Sequence, residues 1–97
     1  MPYAELLSED ELAASLRSVP DWRRDGARLV RTIRCDSFWA AIALVGRVAA
    51  VAEAADHHPD IEVSWRTVTL RLTTRAVHGL TARDVAMAAA IDRISAP

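Results

Sequence analysis

The chain has 97 residues, 52% of them hydrophobic, and its twelve Lys and Arg stand against thirteen Asp and Glu for a formal charge of -1. That length supports one packed core and not two, so a single domain over residues 1–97 is expected, and the charge balance lacks the broad positive field on which direct nucleic-acid binding rests. The single cysteine, Cys35, excludes an internal disulfide and a thiolate-rich metal site, and without a basic-then-apolar leader the expected location is cytoplasmic.

Ser8 and Glu11 have the spacing of a capping box, and Leu7 with Leu12 that of a hydrophobic staple, which predicts a first helix over residues 9–17. Pro20 closes that region. Asp25-Gly26 suits the positive φ angles of a tight turn, and Leu29, Ile33 and Cys35 alternate after it, so residues 22–35 read as a hairpin. Asp36 or Ser37 caps a second helix. In it Phe38, Ile42, Val45, Ala49 and Ala52 form one apolar stripe and Trp39, Val48 and Val51 another, so it is expected to be buried on two sides, against a sheet and against a neighbouring element or subunit. The stretch from Phe38 to Ala52 is interrupted by Gly46 and Arg47 and reads as too short to cross a bilayer, so no membrane partner is expected. Pro59 stops the helix near His57, because it has no N–H and drives the preceding residue out of the α region.

Ile61, Val63 and Trp65 alternate in one phase and Val68, Leu70 and Leu72 in the other, which places a turn near Arg66-Thr67 between two strands. Thr81 and Asp84, flanked by Leu80 and Val85, repeat the cap and staple and open a last helix carrying Val85, Ala88, Ile91 and Ile94. The expected fold is α+β: a four-stranded antiparallel sheet with three helices packed on one face, in the order α-β-β-α-β-β-α. Much of the apolar content is alanine, which buries little area per residue. Leftover apolar surface is therefore expected to be covered by another copy of the chain, as a homodimer or homotetramer.

The segment Asp56-His57-His58-Pro59-Asp60 puts two imidazoles and two carboxylates where the long helix breaks. An imidazole titrates near pH 6.5 and so gives or takes a proton close to neutrality, the requirement for general acid-base catalysis. Two histidines at a helix end also serve simply to cap its carbonyls and meet the negative end of its dipole. A metal site is disfavoured, because adjacent side chains in an extended segment point apart and no further carboxylate motif accompanies them. Nucleophilic catalysis is weaker still, since Ser64 lies in a predicted strand without elbow glycines and Cys35 has no positioned partner.

Glu53, His57-His58-Pro59 and Trp65, followed by Thr74, Gly79-Leu80-Thr81 and Asp84, together resemble the pterin-4a-carbinolamine dehydratases, and the likeness extends back through Asp36-Ser37-Phe38 to about Trp22. What the resemblance implies is removal of water from a 4a-hydroxytetrahydropterin to give the quinonoid dihydropterin, in pterin recycling, with no metal or organic cofactor. It implies His57 and His58 as the catalytic acid-base pair, acid and base unassigned, with the ring near Pro59 and the loop Thr74, Arg75, Ala76, Val77 and His78. Asp84 either orients an imidazole or caps its helix, and Glu53, one turn before His57, either bonds that ring or is a solvated helix residue. Trp22 and Trp65 either wall the pocket or fill the core.

This sequence departs from the family at one position: a third active-site histidine follows the family's threonine, and here Arg75 follows Thr74. Arginine cannot act as a base, although its planar guanidinium stacks on rings and bonds carbonyls. His78 would replace the missing histidine only on a different loop path. The alternative function is a non-catalytic adaptor on the same scaffold, of the transcriptional-coactivator or Rubisco-assembly type.

Overall fold

In the computed structural model, which describes residues 5–95, Ser8 Oγ accepts the Glu11 N–H at 3.1 Å and Glu11 Oε1 accepts the Ser8 N–H at 2.8 Å. This box starts α1 (Glu9–Leu16), which buries Leu12. The bond from the Ser8 N–H, and then that from the Ser8 side chain, hold the Glu11 carboxyl below its ordinary value of 4.5. A depressed folded-state pKa gives stability that is complete above the unfolded value and is lost as pH falls through the folded one. Glutamine keeps the acceptor without the charge. Melting from about pH 5 down to about pH 3 should therefore show a shallower loss of Tm in Glu11→Gln than in the wild type.

The first hairpin pairs β1 (Arg23–Asp25) with β2 (Arg28–Arg34), with Asp25 opposite Arg28. Its two-residue loop is Gly26-Ala27, one position later than the Asp25-Gly26 pair suggested, and the positive φ falls on Gly26 at 61°. A positive φ at the first loop position is what glycine supplies in a type II′ turn. The second hairpin pairs β3 (Asp60–Ser64) with β4 (Thr67–Leu72), and its loop is Trp65-Arg66. Trp65 thus leaves the strand it was expected to extend. It takes φ 52° in the turn, stays 70% exposed, and carries the Arg66 guanidinium 4.8 Å from its ring centre.

The sheet order is β1-β2-β4-β3, all antiparallel, so β4 lies between β3 and β2. Register sets Leu29 opposite Leu72 and Ile33 opposite Val68 on one face, and Thr32 opposite Thr69 on the other. The apolar face is covered by α1, α2 (Phe38–Ala55) and α3 (Ala82–Ser95), an α+β arrangement with three helices on one side. Leu12, Leu44, Val48, Met87 and Ile91 meet Leu29, Val68, Leu70 and Leu72 there. Trp22 is buried in the same core and not in a pocket wall, its indole N–H donating to Asp92 at 2.8 Å.

Rotation of α2 differs from the sequence expectation. Ala41, Leu44, Val48 and Ala52 face inward, whereas Phe38, Trp39 and Ile42 are 51%, 82% and 40% exposed. The helix is apolar on nearly every side, so periodicity alone does not select the face that meets the sheet. Its 18 residues, with a mean hydropathy of 1.6, also reach the length and apolarity needed to cross a bilayer, contrary to the expectation for the shorter stretch to Ala52. Its inner stripe nevertheless packs against sheet and α3 as a core helix does.

Candidate functional site

Helix α2 ends in a way that fixes the two histidines. The His57 N–H bonds Ala52 O at 3.1 Å and the Asp56 N–H bonds Glu53 O at 3.3 Å, the two bonds of a Schellman motif. Asp56 occupies the left-handed position of that motif, φ 50° and ψ 45°, where glycine is commonest and Asp or Asn is tolerated. The chain then turns out of the helix axis, and Pro59 precedes the extended β3.

His57 is 8% exposed, and its Nε2 lies 2.7 Å from Oδ1 of the fully buried Asp84. A carboxylate only accepts, so Nε2–H donates and Nδ1 is the ring nitrogen left to a ligand. The other Asp84 oxygen accepts from the Thr81 N–H at 2.9 Å and the Thr74 hydroxyl at 2.7 Å. Thr74 spends its one hydroxyl proton on Asp84, so in the 2.9 Å contact between the two threonines it is Thr81 that donates. Asp84 is therefore both of the things its sequence position allowed: the carboxylate that caps the Thr81 N–H at the start of α3 and the partner of an imidazole.

His58 is half exposed, and its Nε2 pairs with Glu53 Oε2. Glu53 was expected to reach His57. It reaches His58 because the left-handed Asp56 breaks the helical spacing at which residues four apart align. The result is two imidazoles, each backed by a carboxylate through Nε2, one pair buried and one at the surface.

Both histidines line one cavity of about 170 Å3 with Asp56, Thr73, Thr74, Arg75, Ala76 and Arg83. Of the residues singled out in the sequence, this cavity brings together His57, His58, Thr74, Arg75 and Ala76. Asp84 stands behind His57 and Glu53 behind His58, while Pro59, Val77 and His78 do not line it. The loop after β4 explains the last of these. Thr74 and Gly79 bond each other across a 3-10 turn at Arg75–Val77, which closes with His78 left-handed at φ 55° and its ring lining neighbouring hollows. His78 therefore does not replace the missing third histidine, and Arg75 is held instead by Asp60 at 2.8 Å.

Asp56, singled out with the histidines but given no role, also lines the cavity, and Thr73 and Arg83 line it and were not anticipated. Arg83 donates to Asp56 O at 2.9 Å, tying the start of α3 to the corner that carries the histidines. Its position directly before Asp84, in the first turn of a helix already suspected of facing the site, was the available signal. Among the described residues, no three His, Cys, Asp or Glu side chains form a group that could hold a metal ion.

A family model described as pterin 4 alpha carbinolamine dehydratase matches residues 5–94. A relative from Nocardia farcinica, named "Putative pterin-4-alpha-carbinolamine dehydratase", is 52% identical over 91 residues, covering 94% of this chain and 96% of its own. A second of the same name, from Chloroflexus aurantiacus, is 52% identical over 88 residues, covering 91% and 95%. The crystal structure of a transcriptional coactivator/pterin dehydratase from Brucella melitensis superposes with a TM-score of 0.90 at 26% identity, covering 95% of this chain and all of that one. A pterin dehydratase-like protein described as a RuBisCO assembly factor in the alpha-carboxysome shares the fold at a TM-score of 0.68 and 24% identity, over 77% of this chain and 89% of that one.

Proposed function

The chain belongs to the pterin 4 alpha carbinolamine dehydratase family, and on that premise we propose that its cavity dehydrates a 4a-hydroxytetrahydropterin. The observation that carries this reading is the presence of both carboxylate-backed imidazoles in one cavity. In the reaction the C4a–O bond breaks as the hydroxyl takes a proton and leaves as water, while N5 loses its proton and its electron pair closes the C4a–N5 double bond. One imidazole donates, the other accepts, and no electrons are exchanged with any other group. Asp84 holds His57 in the tautomer that leaves Nδ1 free, and Arg83 and the Asp56 corner fix the backbone between the two rings. Arg75 and Thr74 also line the cavity, and Arg75, whose guanidinium gives one nitrogen to Asp60, keeps further donors for the ring's carbonyl.

The test is to mix the protein with freshly generated 4a-hydroxytetrahydropterin and follow loss of the carbinolamine by absorbance. Dehydration well above the buffer rate is expected, and a rate equal to the buffer control would remove the reading. A non-catalytic adaptor is the second reading, favoured by Arg75 at the place of the third histidine. No binding of pterin in calorimetry, together with stoichiometric recovery of a partner, would select it.

The same proposal includes self-association in the cytoplasm. Phe38, Trp39 and Ile42 of α2 lie exposed near the turn that carries Trp65, since the Cys35 N–H bonds Arg66 O at 2.7 Å just before the helix begins. Exposed aromatic clusters of this kind are what interface hot spots are made of. Sedimentation should give a dimer or tetramer, and Trp39→Glu should raise the concentration for half-assembly by roughly tenfold or more. A wild-type chain that sediments as a monomer at every concentration would contradict this.

A further inference from the structure

A larger hollow, of about 570 Å3, adjoins the histidine cavity and shares Thr73 and Arg75 with it. Its other lining residues are Asp25, Ala27 and Arg28 from the first hairpin and His78 from the left-handed corner of the loop. The histidine cavity alone, at about 170 Å3, is smaller than small-molecule sites usually are. Joined to its neighbour it falls within the usual range of about 300–1,000 Å3. A ligand whose reacting atoms sit between His57 and His58 therefore has its largest adjoining space for a substituent past Thr73 and Arg75, toward the hairpin.

Two arginines line the hollow against one aspartate, and His78 adds a further donor. Arg75 is committed to Asp60, but Arg28 has no ion-pair partner among the described residues although Asp25 stands opposite it in the hairpin register. A guanidinium outside any such ion pair, beside an imidazole, is suited to a carboxylate or phosphate.

We propose that this second hollow is a subsite for an anionic substituent on the bound pterin, with Arg28 as its charged anchor and His78 as a flanking donor. The proposal rests on the pterin reading and adds to it the class of pterin taken, one carrying a carboxylate or a phosphate on a short chain. Arg75, paired with Asp60, forms the waist between ring and substituent. The hairpin turn becomes a specificity element, distinct from the residues that move protons.

Pterin fluorescence permits a binding test that does not depend on turnover. The probes are neutral 6-hydroxymethylpterin, 6-carboxypterin and the phosphate ester of 6-hydroxymethylpterin, each titrated into the wild type, Arg28→Glu and Asp25→Asn. The wild type is expected to bind the anionic probes about tenfold tighter than the neutral one. Arg28→Glu should abolish that preference and leave the neutral affinity unchanged, and Asp25→Asn should strengthen anion binding. Preference for only one of the two anions identifies which group the subsite takes. Equal affinity for all three probes, or a loss in Arg28→Glu that is the same for all three, overturns the subsite while leaving the dehydration reading intact. Failure to bind any pterin overturns both.

Discussion

Asp84→Ala is expected to cost roughly 3–5 kcal/mol of folding stability, a large share of the 5–15 kcal/mol typical of a domain. Asp84 is fully buried and accepts from three donors: the His57 imidazole, the Thr74 hydroxyl and the Thr81 backbone N–H. Alanine leaves all three without an acceptor in a dry site, where each orphaned donor costs about 1–3 kcal/mol before relaxation. Asp84→Asn separates the structural role from the positioning role. Its amide oxygen is drawn to the side where Thr74 and Thr81 both donate, so its NH2 faces His57 and requires a bare Nε2 there. The proton then moves to Nδ1, the nitrogen the wild type leaves for the ligand. Chemical denaturation should show Asp84→Asn losing only about 1–2 kcal/mol. Nitrogen NMR of the His57 ring should show the tautomer exchanged, and kcat should fall by about 100-fold or more. An Asn variant with normal turnover and a reversed tautomer would remove the positioning role.

Loss of either imidazole is the second large effect. His58→Gln and His57→Gln should each lower kcat by about 100- to 10,000-fold, the range that one positioned proton transfer supplies. Their effects on stability should diverge. His58 is half exposed and its partner Glu53 is more so, so His58→Gln should stay within about 0.5 kcal/mol of the wild type in a urea melt. His57 is buried against Asp84, and His57→Gln should lose about 1–3 kcal/mol. Because the two rings serve one reaction, the double variant should fall little further in rate than the worse single one. Simple multiplication of the two defects would mean that the histidines do not act as a pair.

Where side chains cap a helix or alternate along a strand, the sequence was a sufficient guide. Ser8 and Glu11 form their reciprocal cap and the Asp84 carboxylate caps the Thr81 N–H, because the partners are three residues apart and need no distant information. Both hairpins formed, each with its loop one residue from the expected place. In the second, pairing of Val63 with Val68 sets the register and pushes Trp65 into the turn.

The site was less legible, because two residues in left-handed conformations, neither of them glycine, redirect it. Asp56 ends α2 and hands Glu53 to His58, and His78 lines the neighbouring hollows and not the histidine cavity. Asp and His take a positive φ more readily than most residues, but periodicity does not mark which Asp or His will do so. The inward stripe of α2 was misjudged for a different reason. Alanines fill the stripe and its alternatives alike, so the face is selected by the entry from Ser37 and by what the sheet presents. That choice leaves Phe38, Trp39 and Ile42 exposed among the described residues.

Central to the account is the convergence of two proton-transferring rings on one bound pterin. Nitrogen NMR of histidine-labelled protein, titrated with an oxidised pterin that cannot react, reads each ring separately. The expected result is that His57 and His58 resonances shift together, saturating at one dissociation constant, while the shift at His78 depends on the charge of the pterin's substituent. Saturable pterin binding that leaves both His57 and His58 unmoved would contradict it.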